Sequence, residues 1–291
     1  MQRKCQVIDC FIFYNELDML CMRLCEMGHF VDWIVIVEAT KSFTGKDKPL
    51  YLKPYINNCD GNCNDNGNDN GRNERLYEVI QELKHKIVYV VADRLKSNEE
   101  MSSNEDVWLN EYVQRNMIME GLSRLRMDPD DYCIIADLDE IVDRKVIQKV
   151  KNGRIRMEVR DTSIMTLRQD MYYYNFMCKA SLSWYKAKIV KYKTLNILSV
   201  QNVRMYPLSD DSLIEKGGWH LSFFSNVENI INKVKNYSHQ EWNDEKYLNM
   251  ERVQKCIDES IDLFERENIH QFMKLTQLDT YLPVNYGMLS L

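Results

Sequence analysis

The chain has 291 residues, a formal net charge of -6 and 45% hydrophobic residues, enough apolar content for a sizeable core. An acidic balance argues against nucleic acid or an anionic membrane surface as partner and leaves a small molecule or a neutral polymer. No apolar run has the length of a membrane span, and the short apolar stretch in MQRKCQVIDCFIFYNE is interrupted by Asp9, so neither anchor nor signal peptide is expected. The 9 cysteines are odd in number and scattered through core-like segments, which predicts free thiols and a soluble, cytoplasmic or other intracellular setting.

In chain order, CQVIDCFIFYNE alternates apolar residues and ends polar, predicting a strand with Asn15 and Glu16 at its carboxyl end. DMLCMRLCEMGH, from Asp18 to His29, predicts a helix stopped near Gly28, and WIVIVEAT a strand covered on both faces and ending at Glu38. Strand, helix, strand is a βαβ opening. Residues 57–73 are almost purely Asn, Asp and Gly and read as a disordered surface insertion. A helix around Leu76 to Lys86 then leads to the strand KIVYVVAD, and WLNEYVQRNMIMEGLSRL predicts one amphipathic helix from Val107 to Arg124. DPDD is the turn before CIIADLDEIV. SIMTLRQ, AKIVKYK and LSVQNVRMY predict strands of an antiparallel or mixed part, and residues 227–291 a mostly helical C-terminal part. The whole predicts one α/β domain, a mixed central sheet flanked by helices.

The segment CIIADLDEIV carries an apolar strand into Asp137, Asp139 and Glu140. Residues two apart on a strand share a side, so Asp137 and Asp139 are expected to face one direction at the carboxyl end of a sheet, where open α/β folds bind ligands. Two adjacent carboxylates need a cation, and a hard divalent ion with oxygen ligands is the common remedy. Solvated helix-capping acids explain the same residues. A haloacid-dehalogenase-like phosphatase would use the first Asp as nucleophile, but Ile141 stands where that motif has Thr. No glycine-rich phosphate loop is present, which removes the main support for a kinase or dinucleotide-binding reading.

Cys21, Cys25 and His29 have helical spacing and read as core packing with a terminal His; Cys59 and Cys63 lie in the Asn-rich insertion. GGWHLSFFSN holds Trp219 and His220 after two glycines. A buried Trp–His pair is one reading. The other is a ligand loop, where glycine permits close approach, Trp offers a stacking face and Lys233 suits a diphosphate.

Three ordered blocks then resemble a known family. FYNELDMLCMRLCEMGHFVDWIVIVEATKSFTGKDKPLYL, GLSRLRMDPDDYCIIADLDEI and GWHLS are together similar to glycosyltransferase family 17. The resemblance implies a GT-A-like nucleotide-sugar-binding fold, a UDP-sugar donor, most readily UDP-GlcNAc, a glycan acceptor and inversion at the anomeric carbon. It implies Mn or Mg held by Asp137 and Asp139, with His220 as a third contact and Lys233 as a charge partner of the diphosphate. Glu140 would support the pair or touch the sugar, and Asn15, Glu16, Glu38 and Trp219 would lie near the donor. Arg115 is expected to pair with Glu111 or Asp137. An inverting transfer needs a base for the acceptor hydroxyl, and Glu241 and Asp170, each beside aromatic residues, are the candidates. A catalytically silent sugar- or nucleotide-binding protein of the same fold is the alternative from another class. The setting would be a viral or other intracellular glycosylation system.

Overall fold

A computed structural model describes residues 4–57, 70–155, 164–266 and 272–289. The βαβ opening is β1 (Val7–Phe13), α1 (Leu17–Met27) and β2 (Trp33–Ala39). Helices α2 (Lys53–Ile56) and α3 (Asn70–Leu83) precede β3 (Ile87–Ala92). Helices α4 (Asn104–Asn116) and α5 (Ile118–Ser123) lead to β4 (Tyr132–Ile135), β5 (Glu140–Val142) and α6 (Arg144–Lys151). The second half holds β6 (Ile164–Tyr173), β7 (Cys178–Ala180), β8 (Lys188–Lys191), α7 (Tyr192–Leu195), α8 (Val200–Arg204) and β9 (Leu213–Ser222). It ends with α9 (Val227–Asn236), α10 (Met250–Glu259) and β10 (Phe272–Lys274).

These strands form one mixed sheet in the order β10-β7-β6-β8-β4-β1-β2-β3, with β9 joining β6 to β5. The β4-β1-β2-β3 part is parallel. Strand β8 runs antiparallel to β4 and turns the sheet into its mixed half. The central strands are apolar on both faces because both are covered. Phe11, Phe13, Ile34, Ile36 and Ile134 pack with α1 and α3 on one side. Cys10, Val35, Val37 and Ile135 pack with Met117, Ile118, Val200 and Val203 on the other. The seven described cysteines are free thiols.

Four elements differ from the sequence expectation. The helix expected over 107–124 is two helices meeting at Met117, whose N–H is shared between the Val113 and Gln114 carbonyls, both at 3.2 Å. Helix α5 can then lie close on the sheet because Gly121 has no Cβ; one there would fall 2.3 Å from Val35 Cγ1. LSVQNVRMY is not a strand but contains α8, started by the Ser199 hydroxyl accepting the Asn202 N–H. GGWHLS is not a loop but the inner end of β9, between β5 and β6. The C-terminal part is helical only in α9, α10 and short turns among the described residues, and it supplies the edge strand β10. Most of the Asn-rich stretch, with Cys59 and Cys63, lies outside the described residues; α3 begins at its end, Asn70.

The glycine pair of β9 is required by the sheet rather than by a ligand. Gly218 has φ +131°, and a Cβ there would meet the Ile141 carbonyl at 2.0 Å, beside the register shift between Leu167 and Gln169 in the β6–β9 pairing. Gly153 also has positive φ, +64°, but nothing stands within 4 Å. Gly218→Ala should therefore cost about 3 kcal/mol from strain plus overlap, and Gly153→Ala about 1 kcal/mol from strain alone. Urea denaturation of the two variants measures the difference, and equal midpoints would refute the steric account.

Candidate active site

The carboxyl ends of β1 and β4 open onto a cleft of about 520 Å³. Asp137 and Asp139 line it, but not from a strand: after β4 the chain makes a turn closed by the Glu140 N–H donating to the Asp137 carbonyl at 3.0 Å, and β5 begins at Glu140. The two carboxylates share the cleft because of this turn, not because of strand alternation.

A buried arginine shapes the turn. Arg23 on α1 is fully buried, and its Nε and Nη2 donate to the two oxygens of Asp9 at 2.9 and 2.6 Å. Its Nη1 donates to the carbonyls of Asp137, Leu138 and Glu140 at 2.8, 3.1 and 3.0 Å. Asp9, which interrupts the apolar pattern of β1, is thus the charge partner that lets a guanidinium be buried under the turn.

Around the turn, acids and bases alternate. Asp137 accepts from Arg115 at 2.9 Å on one oxygen and from Arg204 on the other. Arg204 also donates to both oxygens of the fully buried Glu140, at 2.7 and 2.8 Å. Glu140 further accepts from Trp184 Nε1 and from the Asp137 N–H. Asp139 accepts from Lys233 at 3.0 Å and lies 3.6 Å from His220 Nε2; Lys233 is also 3.3 Å from Glu16. Burial opposes ionisation of Asp137 and Asp139, but Arg204 and Arg115 hold the first below the usual carboxylate range, and Lys233 the second. His220 is pushed the other way by burial, toward the neutral imidazole, despite Asp139. Its Nδ1 is buried and has no partner among the described residues.

The structure brings Glu16, Asp137, Asp139, His220 and Lys233 together in the cleft, with Glu140 directly beneath. It does not bring in the others. Asn15 is absent from the lining, and its N–H turns toward the Glu16 carboxylate at 3.3 Å. Glu38 is fully buried, where it accepts from Tyr89 Oη and the Tyr51 N–H, both at 2.6 Å, and from Lys48 at 3.3 Å, pinning the segment after β2. Trp219 faces away and donates to the Tyr281 carbonyl at 3.0 Å. Asp170 also faces away: Met171 and Tyr173 of β6 line the cleft, so strand alternation sends Asp170 to the opposite face, where Lys179 donates to it at 2.7 Å. Glu241 stands outside the lining, 2.7 Å from His239, which lines it.

Sequence reasoning gave Arg23 no role and missed Arg204 altogether. A helical reading of VQNVR would have found the second, because Gln201 and Arg204 at i, i+3 fall on one helix face, and both line the cleft. Arg115 forms both expected pairs, with Glu111 at 2.7 Å and with Asp137. Each oxygen of Asp137 accepts from an arginine. The described residues hold no group of three or more His, Cys, Asp or Glu side chains arranged for a metal.

A mixed sheet flanked by helices, with an acidic turn over a cleft at the carboxyl ends of its parallel strands, defines a GT-A-like glycosyltransferase fold. The chain belongs to glycosyltransferase family 17, whose family model matches residues 1–60 and 70–283. Over 138 residues, 47% of this chain, it is 28% identical to the beta-1,4-mannosyl-glycoprotein 4-beta-N-acetylglucosaminyltransferase of Rattus norvegicus, covering 21% of that protein. The Homo sapiens protein of the same name is also 28% identical over 138 residues, 22% of its length. The match therefore spans about a fifth of these relatives. No helix among the described residues is long and apolar enough to cross a membrane.

Arg23→Met removes one partner of a buried pair and the Nη1 group that donates to three carbonyls of the turn. It should cost about 3–5 kcal/mol in urea denaturation. Wild-type stability in that variant would show that Asp9 and the turn need no buried cation.

Proposed function

We propose that this protein transfers GlcNAc from UDP-GlcNAc to a glycan acceptor with inversion, assisted by a divalent cation. The carrying observation is the charge arrangement at the cleft floor: on one turn, Asp139 is faced by Lys233, and Asp137 by Arg115 and Arg204. A nucleoside diphosphate brings negative charge that grows at the leaving oxygen as the sugar departs, and preorganised cations stabilise it without reorganisation. The relatives' name, a beta-1,4-mannosyl-glycoprotein 4-beta-N-acetylglucosaminyltransferase, supports GlcNAc as the sugar and a mannosyl glycan as the acceptor.

The residues fit a hard cation held mainly by one carboxylate. Mg and Mn sites are commonly built from one or two carboxylates plus substrate phosphates, so the lack of a three-residue cage among the described residues does not count against one. Asp139 and the adjacent neutral His220 would hold the ion, and Asp137, saturated by Arg115 and Arg204, would aim those guanidiniums at the diphosphate. When bound, the ion supplies Lewis acidity and offsets charge on the departing UDP. Lys233, which bridges Asp139 and Glu16, would turn to the diphosphate when the donor enters. Glu140 keeps Arg204 and Trp184 in place from below.

Purified protein should convert UDP-GlcNAc to UDP with a β-1,4-mannosyl glycoprotein as acceptor, and a chelator should stop it. Thermal shift should show stabilisation by UDP that deepens with Mn, because a ligand of the native state raises apparent stability. Asp139→Ala should remove the Mn-dependent part of that shift and lower turnover by about 10²–10³-fold. Unaltered turnover in Asp139→Ala would remove this residue from the metal site. A metal-independent UDP shift without transfer would favour the silent binding protein.

A further inference from the structure

Four carboxylates line the cleft, and each already faces a cation: Asp137 the two arginines, Asp139 and Glu16 Lys233, and Glu111 Arg115. Each is thus engaged by a cation in this structure. Of the two cleft imidazoles, His220 sits against Asp139 in the polar floor. His239 differs. Its Nδ1 is 2.7 Å from Glu241 Oε1, and its Nε2 has no hydrogen-bond partner among the described residues. An ionised carboxylate only accepts, so in the neutral ring Nδ1 carries the hydrogen and Nε2 the lone pair.

The surroundings of His239 suit an acceptor sugar rather than a diphosphate. Its ring meets Trp108 edge-on at 4.7 Å and lies 5.5 Å from Tyr237, and with Tyr112 and Trp242 these make an aromatic end to the cleft. Such faces stack on sugars. Independently, the Tyr237 hydroxyl in this wall is buried and has no partner among the described residues, a polar group that a ligand hydroxyl would satisfy. The segment is tied to the donor floor: the Ser238 hydroxyl donates to Glu111, which accepts from Arg115, which holds Asp137.

We propose that His239 is the catalytic base that takes the acceptor hydroxyl proton, and that Glu241 is its positioning residue. The assignment rests on the transferase reading above. The hydroxyl proton passes to His239 Nε2 and the oxygen's electron pair forms the bond to the anomeric carbon. The bond from that carbon to the β-phosphate oxygen breaks with its pair on UDP. Glu241 stabilises the resulting imidazolium, which returns its proton to solvent.

The test uses the full chain, UDP-GlcNAc and the β-1,4-mannosyl glycoprotein. His239→Gly and His239→Gln should each lower kcat by about 10²–10⁴-fold, with the KM for UDP-GlcNAc and the thermal shift by UDP with Mn unchanged. Added imidazole should restore part of the activity of His239→Gly. Glu241→Ala should lower kcat by about 10-fold or more, and Glu241→Gln, whose amide oxygen still accepts from Nδ1, should retain most of it. Wild-type kcat in both His239 variants overturns the assignment, as does a loss accompanied by loss of UDP binding and no imidazole rescue. Wild-type protein that transfers no sugar overturns the transferase reading, and this assignment with it.

Discussion

The bidentate pair between Arg23 and Asp9 supports everything that the cleft does. A guanidinium with no exposure is tolerated because a carboxylate neutralises it and its Nη1 donates to backbone carbonyls. Those carbonyls belong to Asp137, Leu138 and Glu140, so the requirement to satisfy one buried cation fixes the path of the turn. Helix α1 supplies Arg23, β1 supplies Asp9 and the turn follows β4, which couples the first strand, the first helix and the acids of the turn into one unit. The interruption of an apolar strand by Asp9 is the local cost of that coupling.

Above this support, charge is arranged in two tiers. Glu140 lies fully buried and holds Arg204 from below, so that Arg204 meets Asp137 from the side. Asp137 is accordingly held by two arginines, and Asp139 faces Lys233 and His220. One Asp-x-Asp pair thus carries two separate roles, because Leu138 turns inward between them and the side chains diverge to different partners.

Toward the other end, the cleft changes from charged to aromatic. Residues from α4 and from the segment after α9 meet there, and Ser238, Glu111 and Arg115 connect that wall to the acids of the turn. A ligand ordered by one end would therefore meet groups already registered with the other.

Much of this was legible in the residues alone. The βαβ opening, the strand before the acids and the position of the acids at a sheet's carboxyl end follow from apolar runs and turn chemistry, which are local properties. The family blocks added the class of reaction. Local pattern misled where a residue's neighbours come from distant chain: VQNVR was read as strand because valines favour strands, yet a Ser199 cap and burial of Val200 and Val203 against the sheet make it a helix. Asp170 and Glu241 looked alike in sequence, each an acid beside aromatics. Only strand alternation against a particular cleft turns Asp170 away, and only the turn after α9 joins Glu241 to His239. The sequence by itself determined which elements form and which acids are exceptional, because periodicity and unpaired charge are written along the chain. Which cation each acid meets was decided by tertiary structure alone, since Arg23, Arg115, Arg204 and Lys233 reach one turn from four helices far apart in the chain.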